Sequence, residues 1–189
     1  AIMKIWSKML FLGDSLTSGA RDPYDMSWPF YMTHLAISDD YVLIPEVEAL
    51  PGRTSSQLLR MALPFIEKTA APEVFILIGT NDAKDGVDLP VGLYMKNMAV
   101  LVNACRAFSK REYVLTLPEP TGFGSPNYSA RTTDRVKAYN SALRNSAIIT
   151  RLIELRDIAT WDGIHLSFEG AQEVAKRTWA AIRKERSFS

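Results

Sequence analysis

The sequence predicts an α/β domain, a five-stranded parallel sheet with helices on both faces. Two observations carry this. Apolar, strand-length runs alternate with helix-length amphipathic segments from end to end, and parallel strands need a crossover helix between them. The run Val74-Phe75-Ile76-Leu77-Ile78 is continuously apolar between Pro72 and Gly79, as expected for a strand covered on both faces. At 189 residues and 47% hydrophobic content, the chain suits one domain over residues 1–189.

The elements follow in order. Lys8 to Leu12 reads as strand one. Ser27 to Ile37 reads as an amphipathic helix, with Pro29 tolerated near its first turn. Tyr41-Val42-Leu43-Ile44 reads as strand two. Thr54 to Lys68 reads as a helix, because Leu58, Leu59, Ala62, Phe65 and Ile66 share one face. Val74 to Ile78 is strand three, Leu89 to Phe108 a long helix, Tyr113 to Leu117 strand four and Arg131 to Ile149 a helix. Leu152 to Leu155 is a short strand five. Ser167, with Glu169 in the first turn, opens a last helix to about Arg183. The longest irregular stretch, Pro118 to Thr132, lies at the carboxyl end of strand four, where loops carry function.

Composition excludes several classes. Net charge is +1, with 22 basic and 21 acidic side chains and no long run of one sign; neither nucleic acid nor an anionic membrane is the expected partner. No apolar run is long enough for a bilayer. The single Cys105 forbids an intrachain disulfide and lies in a predicted helix as a core thiol. The segment Ala1-Ile2-Met3-Lys4 has no secretion-signal character, and Met3 reads as the native first residue. The expectation is a cytoplasmic protein, with a secreted mature form left open.

Four polar segments fall just after strands or in the last loop, on one edge of such a sheet. The first is Phe11-Leu12-Gly13-Asp14-Ser15-Leu16-Thr17-Ser18-Gly19. Ser15 follows a buried strand, where ligands of open α/β sheets bind, and its N–H at a helix start favours an anion. A serine needs a base to act as a nucleophile; read alone, Ser15 fits better a helix N-cap or turn serine, the commonest role at such a junction. The second is Leu50-Pro51-Gly52-Arg53-Thr54. Gly52 lets backbone N–H groups approach a ligand, but by itself it is an ordinary turn glycine beside the cap Thr54. The third is Gly79-Thr80-Asn81-Asp82, where the Asn81 amide is either an oxyanion donor or turn chemistry.

The fourth is Asp162-Gly163-Ile164-His165. An Asp and a His three apart in a loop can point to one side. The carboxylate then accepts the Nδ1 proton and leaves Nε2 to take a proton from serine; the bland alternative is a surface histidine. The only other histidine, His34, lies in a predicted helix without an acid partner.

Together the four segments resemble the SGNH, or GDSL, hydrolase family of serine esterases. Gly13-Asp14-Ser15-Leu16 matches its nucleophile block, Gly52 the second-block glycine, Gly79-Thr80-Asn81-Asp82 the third block, and Asp162 with His165 the closing Asp-x-x-His block. The segment around Gly52 is the loosest match. The resemblance implies a flavodoxin-like three-layer α/β/α sandwich with strand order 2-1-3-4-5. It implies Ser15 as nucleophile, His165 as general base and then acid, and Asp162 as its orienting carboxylate. The Ser15 N–H, Gly52 N–H and Asn81 side chain would form the oxyanion hole. The G-x-S-x-G elbow of α/β-hydrolases is absent.

The expected reaction is two-step ester hydrolysis with no metal or organic cofactor, its rate rising with pH as His165 loses its proton. The expected substrate is a small-molecule or carbohydrate ester. Two aromatic regions are candidates for its pocket: Tyr24, Trp28, Phe30 and Tyr31 after the nucleophile block, and Phe123, Asn127 and Tyr128 after strand four. Trp28, Phe30 and Tyr31 are better read as core. No continuous apolar channel is evident, and the helices lack the polarised faces of membrane-surface helices. That favours short acyl groups, acetyl above all, over a lysophospholipase or thioesterase. A catalytically silent binding module is the non-enzyme alternative, disfavoured because every matched catalytic residue is present. A nucleotide-binding protein would want a phosphate-binding glycine loop after strand one, which is missing. Trp6 and Phe188 are candidate interface aromatics; no oligomeric state follows from them.

Overall fold

A computed structural model describes residues 5–24, 26–122 and 125–186. Phe123, Phe188 and the segment Ala1 to Lys4 lie outside the described residues. Five strands form one parallel sheet: β1 (Ile5–Gly13), β2 (Tyr41–Ala49), β3 (Glu73–Leu77), β4 (Arg111–Leu115) and β5 (Leu152–Ile153), in the order β2-β1-β3-β4-β5. The helices are α1 (Ser15–Ser18), α2 (Trp28–Ser38), α3 (Ser55–Thr69), α4 (Val91–Phe108), α5 (Ala130–Asn145) and α6 (Phe168–Glu185). Helix α2 packs on α6, α3 on α4, and α4 on α5. No helix of the described residues is long and apolar enough to cross a membrane.

The expected class and strand order are therefore observed, with local corrections. Strand β1 begins three residues before Lys8, and β2 runs five residues past Ile44, through Pro45. Pro45 is tolerated because β2 is an edge strand, where a missing N–H leaves no ladder partner unsatisfied. Strand β5 is only two residues long, and α5 stops at Asn145, short of Ile149. The single turn α1 went unpredicted, because four residues carry no periodicity to read.

The sheet register aligns Phe11, Phe75 and Tyr113 on three neighbouring strands. Their rings stack, with centroids 5.0 Å apart in both pairs, and Trp28 of α2 closes on Phe11 edge-on at 5.1 Å. Such pairs add roughly 0.5–1.5 kcal/mol each beyond area burial. This column fixes the ends of β1 and β3, the two central strands whose carboxyl ends carry Ser15 and Asn81. Trp28 and Tyr31 are buried, as expected, but Phe30 is 44% exposed and is not a core residue. It lies two positions from both Trp28 and Met32, roughly half a turn around α2 from the face that those two bury.

Candidate active site

The site is built at the carboxyl edge of the sheet. At the end of β1, Asp14 caps the single turn α1. Its Oδ1 accepts the Leu16 N–H at 2.9 Å, and Ser15 becomes the first residue of the turn. Ser15 is 9% exposed. Gly19 ends the turn in a left-handed conformation with its N–H on the Ser15 carbonyl.

After β2, the loop to α3 carries Gly52 at φ 78°, a backbone region that glycine occupies without strain. The buried Arg53 side chain reaches back to β2, its Nη2 donating to Glu48 Oε1 at 3.0 Å. Thr54 caps α3 as expected, in a reciprocal box with Gln57.

After β3, Asn81 and Asp82 are both buried. Asn81 Nδ2 donates to the Arg53 carbonyl at 3.0 Å and to Asp14 Oδ2 at 3.3 Å, and Tyr128 Oη donates to Asn81 Oδ1 at 3.5 Å. Asp82 accepts from the Ser55 N–H at 2.9 Å and from Ser55 Oγ at 2.5 Å, and Asn97 Nδ2 donates to the same Oγ at 2.9 Å. A carboxylate thus faces the amino-terminal turn of α3, where the backbone presents unpaired N–H groups. The sequence marked Asp14 and Asp82 as motif members without roles. The structure shows them binding the first three segments into one hydrogen-bonded block.

Burial drives the electrostatics of that block. Burial pushes the Asp14 carboxyl up to about 7, against the Leu16 N–H and the positive field of Lys84, which both lower it, while Asp82 raises it further. Burial likewise raises the Asp82 carboxyl, opposed by its bonds from Ser55.

The last loop supplies the other half. His165 Nδ1 lies 2.8 Å from Asp162 Oδ2, while Asp162 Oδ1 accepts the Ile164 N–H at 3.0 Å and the His165 N–H at 2.8 Å. Partial burial alone pushes the Asp162 carboxyl up, but the His165 and Ile164 bonds outweigh it and hold it down at about 2. Gly163 has φ 83°, and a Cβ there would collide with the Thr121 carbonyl. The Thr121 N–H donates to the Gly163 carbonyl at 2.7 Å, so this loop is clamped to the loop after β4.

Arg21 was not anticipated. Its Nη1 donates to Asp162 Oδ2 at 2.5 Å, on the oxygen that faces His165. No local sequence signal marks a contact between residues 141 apart.

One cavity of about 180 Å³ is lined by Ser15, Gly52, Asn81, Asp162 and His165, every expected site residue, and also by Arg21, Lys84, Ser125, Asn127 and Tyr128. Asn127 and Tyr128 thus line the pocket. Tyr24 does not; its ring lies 5.1 Å from Phe168, on a different part of the surface. No cluster of three or more potential metal ligands occurs among the described residues.

The sequence profile of the GDSL-like Lipase/Acylhydrolase family matches residues 11–172, from β1 into α6. The chain belongs to this family. Membership makes it an acylhydrolase-type protein, and ester hydrolysis is the activity that the family supports. No curated protein sequence matches the chain. Solved structures do match, over nearly its full length. A carbohydrate acetylesterase family member from Sinorhizobium meliloti is 18% identical, with a TM-score of 0.76 over 94% of this chain and 98% of that one. A lipase/acylhydrolase from Enterococcus faecalis is 20% identical, with a TM-score of 0.74 over 95% of this chain and 96% of that one. The psychrotrophic esterase EstA from Pseudoalteromonas sp., determined with monoethylphosphonate as inhibitor, is 19% identical, with a TM-score of 0.68 over 95% and 98%. At such identities the likeness is one of fold.

Proposed function

We propose that the protein is a serine carboxylic-ester hydrolase acting on short acyl esters, acetyl above all, with Ser15, His165 and Asp162 as its triad. The observation that carries this reading is the single small cavity that holds all three side chains together with Gly52 and Asn81. The Asp162 carboxylate, ionised at any physiological pH, holds the Nδ1–H tautomer of His165 through its 2.8 Å contact. His165 Nε2 is then free to take the Ser15 proton as Oγ attacks the acyl carbonyl.

The tetrahedral oxyanion is received by the Ser15 and Gly52 N–H groups and the Asn81 amide. Asn81 Nδ2 donates along two directions already, and the longer of these, the 3.3 Å contact to Asp14, is the one it gives up to the oxyanion. His165 next passes its proton to the departing alkoxide, and alcohol leaves an acyl-Ser15. Water attacks that ester with His165 again as base. The carboxylic acid departs and the proton returns to Ser15 Oγ.

The cavity of about 180 Å³ favours a small acyl group. A larger apolar groove of about 520 Å³, between α2 and α6, shares no lining residue with it, and the space that touches both, lined by Ser15 and Met26, holds only about 10 Å³, too narrow as it stands for a long chain. The acetylesterase likeness points the same way.

The test is hydrolysis of nitrophenyl esters from acetate to palmitate by wild type and Ser15→Ala, with fluorophosphonate labelling alongside. Activity on acetate should fall with chain length and vanish, with labelling, in Ser15→Ala. A preference for palmitate would replace the short-acyl reading with a lipid or thioester one. Labelling that persists in Ser15→Ala would remove Ser15 from its role.

A further inference from the structure

The cavity around Ser15 contains a charge that the proposed chemistry does not use. Lys84, two residues beyond Asp82, is partly buried in its wall and forms no ion pair among the described residues. Its Nζ lies 5.4 Å from the centre of the Tyr128 ring. A cation held over an aromatic face keeps its N–H donors available to a ligand. The neighbouring polar groups are already engaged or belong to the wall. Asp14 spends its oxygens on Leu16 and Asn81, Tyr128 Oη donates to Asn81, and burial keeps that hydroxyl protonated by pushing it up to about 12.

Arg21 adds a second cation, a guanidinium, at the rim, with one donor on Asp162 and a side chain that is 66% exposed. The cavity wall therefore presents two cations, while its one exposed carboxylate, Asp162, is taken up by His165 and Arg21. Among the described residues Lys84 makes no ion pair at contact distance; burial disfavours its charged form, the field of Asp14 only partly offsets this, and an anionic ligand beside Nζ would complete it.

We propose that the ester this enzyme hydrolyses carries a carboxylate, and that Lys84 binds it inside the cavity beside Tyr128. This rests on the ester-hydrolase reading above and narrows it to anionic esters. In so small a cavity the carboxylate sits within a few bonds of the scissile carbonyl, on the acyl or the alcohol side. A lysine whose role is only to balance buried Asp14 would leave no charge preference among substrates.

The experiment compares kcat/KM for charged and neutral partners of matched size. On the acyl side these are mono-nitrophenyl succinate against nitrophenyl valerate. On the alcohol side they are 4-acetoxybenzoate against 4-acetoxybenzamide. The wild type should favour the anion in one pair by roughly tenfold or more, as for a charge-assisted hydrogen bond. The preference should shrink as salt is raised, collapse towards one in Lys84→Met, and survive largely in Lys84→Arg.

Equal rates within both pairs, or a preference unchanged in Lys84→Met, would overturn the proposal while leaving the hydrolase intact. Absence of hydrolysis and of fluorophosphonate labelling would remove the hydrolase reading and this inference with it. Should the protein label but turn over none of these esters, protection of Ser15 from the probe by succinate and not by succinamide is the expected result, and equal protection overturns the proposal. If Lys84→Met does not fold, the salt dependence of the wild-type preference and its survival in Lys84→Arg decide the matter.

Discussion

The two halves of the site are held in different ways. The half at the ends of β1, β2 and β3 is a largely buried block: Asp14, Ser15, Arg53, Asn81 and Asp82 are each 9% exposed or less, Gly52 is exposed, and hydrogen bonds join all three loops. The half carrying Asp162 and His165 sits in an irregular loop, with Asp162 itself 27% exposed on its side chain. It is held by its own backbone turn, by the partly exposed Arg21, and by the clamp between Gly163 and Thr121. In the proposed mechanism, two of the three donors that would receive the oxyanion, the Ser15 N–H and the Asn81 amide, come from this buried half, where low dielectric strengthens their fields. The group that would shuttle protons in that mechanism, His165, rests on a loop, where small displacements cost less.

Substitutions can break or sharpen this contrast. The largest effect is expected from Asn81→Ala, which removes a donor from the buried half. Turnover should fall roughly 100- to 1000-fold, and denaturant melts should show a loss of about 1–3 kcal/mol as the Arg53 carbonyl loses its partner. Unchanged turnover would take Asn81 out of the oxyanion hole.

Next comes Gly163→Ala in the exposed half. The new methyl must part the two loops, so His165 moves, and turnover should drop on the order of 100-fold. Gly52→Ala, whose added methyl meets nothing within 4 Å, should cost only about 1 kcal/mol of stability from its left-handed backbone. Steady-state kinetics and melts on the pair separate a steric clamp from a simple backbone preference; equal losses would erase the distinction.

Asp14→Asn tests the cost of burying the first half. The Asp14 carboxyl keeps its proton up to about 7 when folded but only to roughly 3.9 in an unfolded chain. Between these values the native state binds the extra proton, so the contribution is fully present below roughly pH 4 and is lost as pH rises through about 7. The full amplitude is on the order of 4 kcal/mol. Denaturation at pH 5 and pH 8 should show a smaller fall in stability for Asp14→Asn than for wild type. Asp162 titrates below this window. Parallel pH profiles would mean that Asp14 is ionised throughout.

The smallest effect belongs to Arg21→Gln. This ion pair is largely solvent-exposed on the arginine side, and such pairs are worth about 1 kcal/mol or less. Stability by denaturant melt should change within that limit and turnover within roughly fivefold. A hundredfold loss would show that Arg21, not the loop turn, sets the orientation of Asp162.

By itself the sequence determined the α/β class, because alternating apolar runs and amphipathic segments are local patterns. It also showed which residue types close each strand: Ser15 after β1, Gly52 after β2 and Asn81 after β3, with Asp162 and His165 three apart in the last loop. Thr54 and Ser167 were legible as helix caps for the same reason, since each bonds a backbone N–H within three residues. Phe30 was misread because α2, expected to be amphipathic, spreads apolar side chains around most of its circumference, so one apolar position does not reveal which face is buried.

Only the tertiary structure decided that Arg21 meets Asp162, that Asp82 holds the start of α3, that Asn81 is shared between Asp14 and Arg53, and that Lys84 lines the same cavity as Ser15. These contacts join residues far apart in the chain, and their worth depends on burial. A carboxylate or an ammonium is unremarkable in a list of residues, and it acquires a shifted proton affinity or an unmet charge only once the fold has removed water from around it.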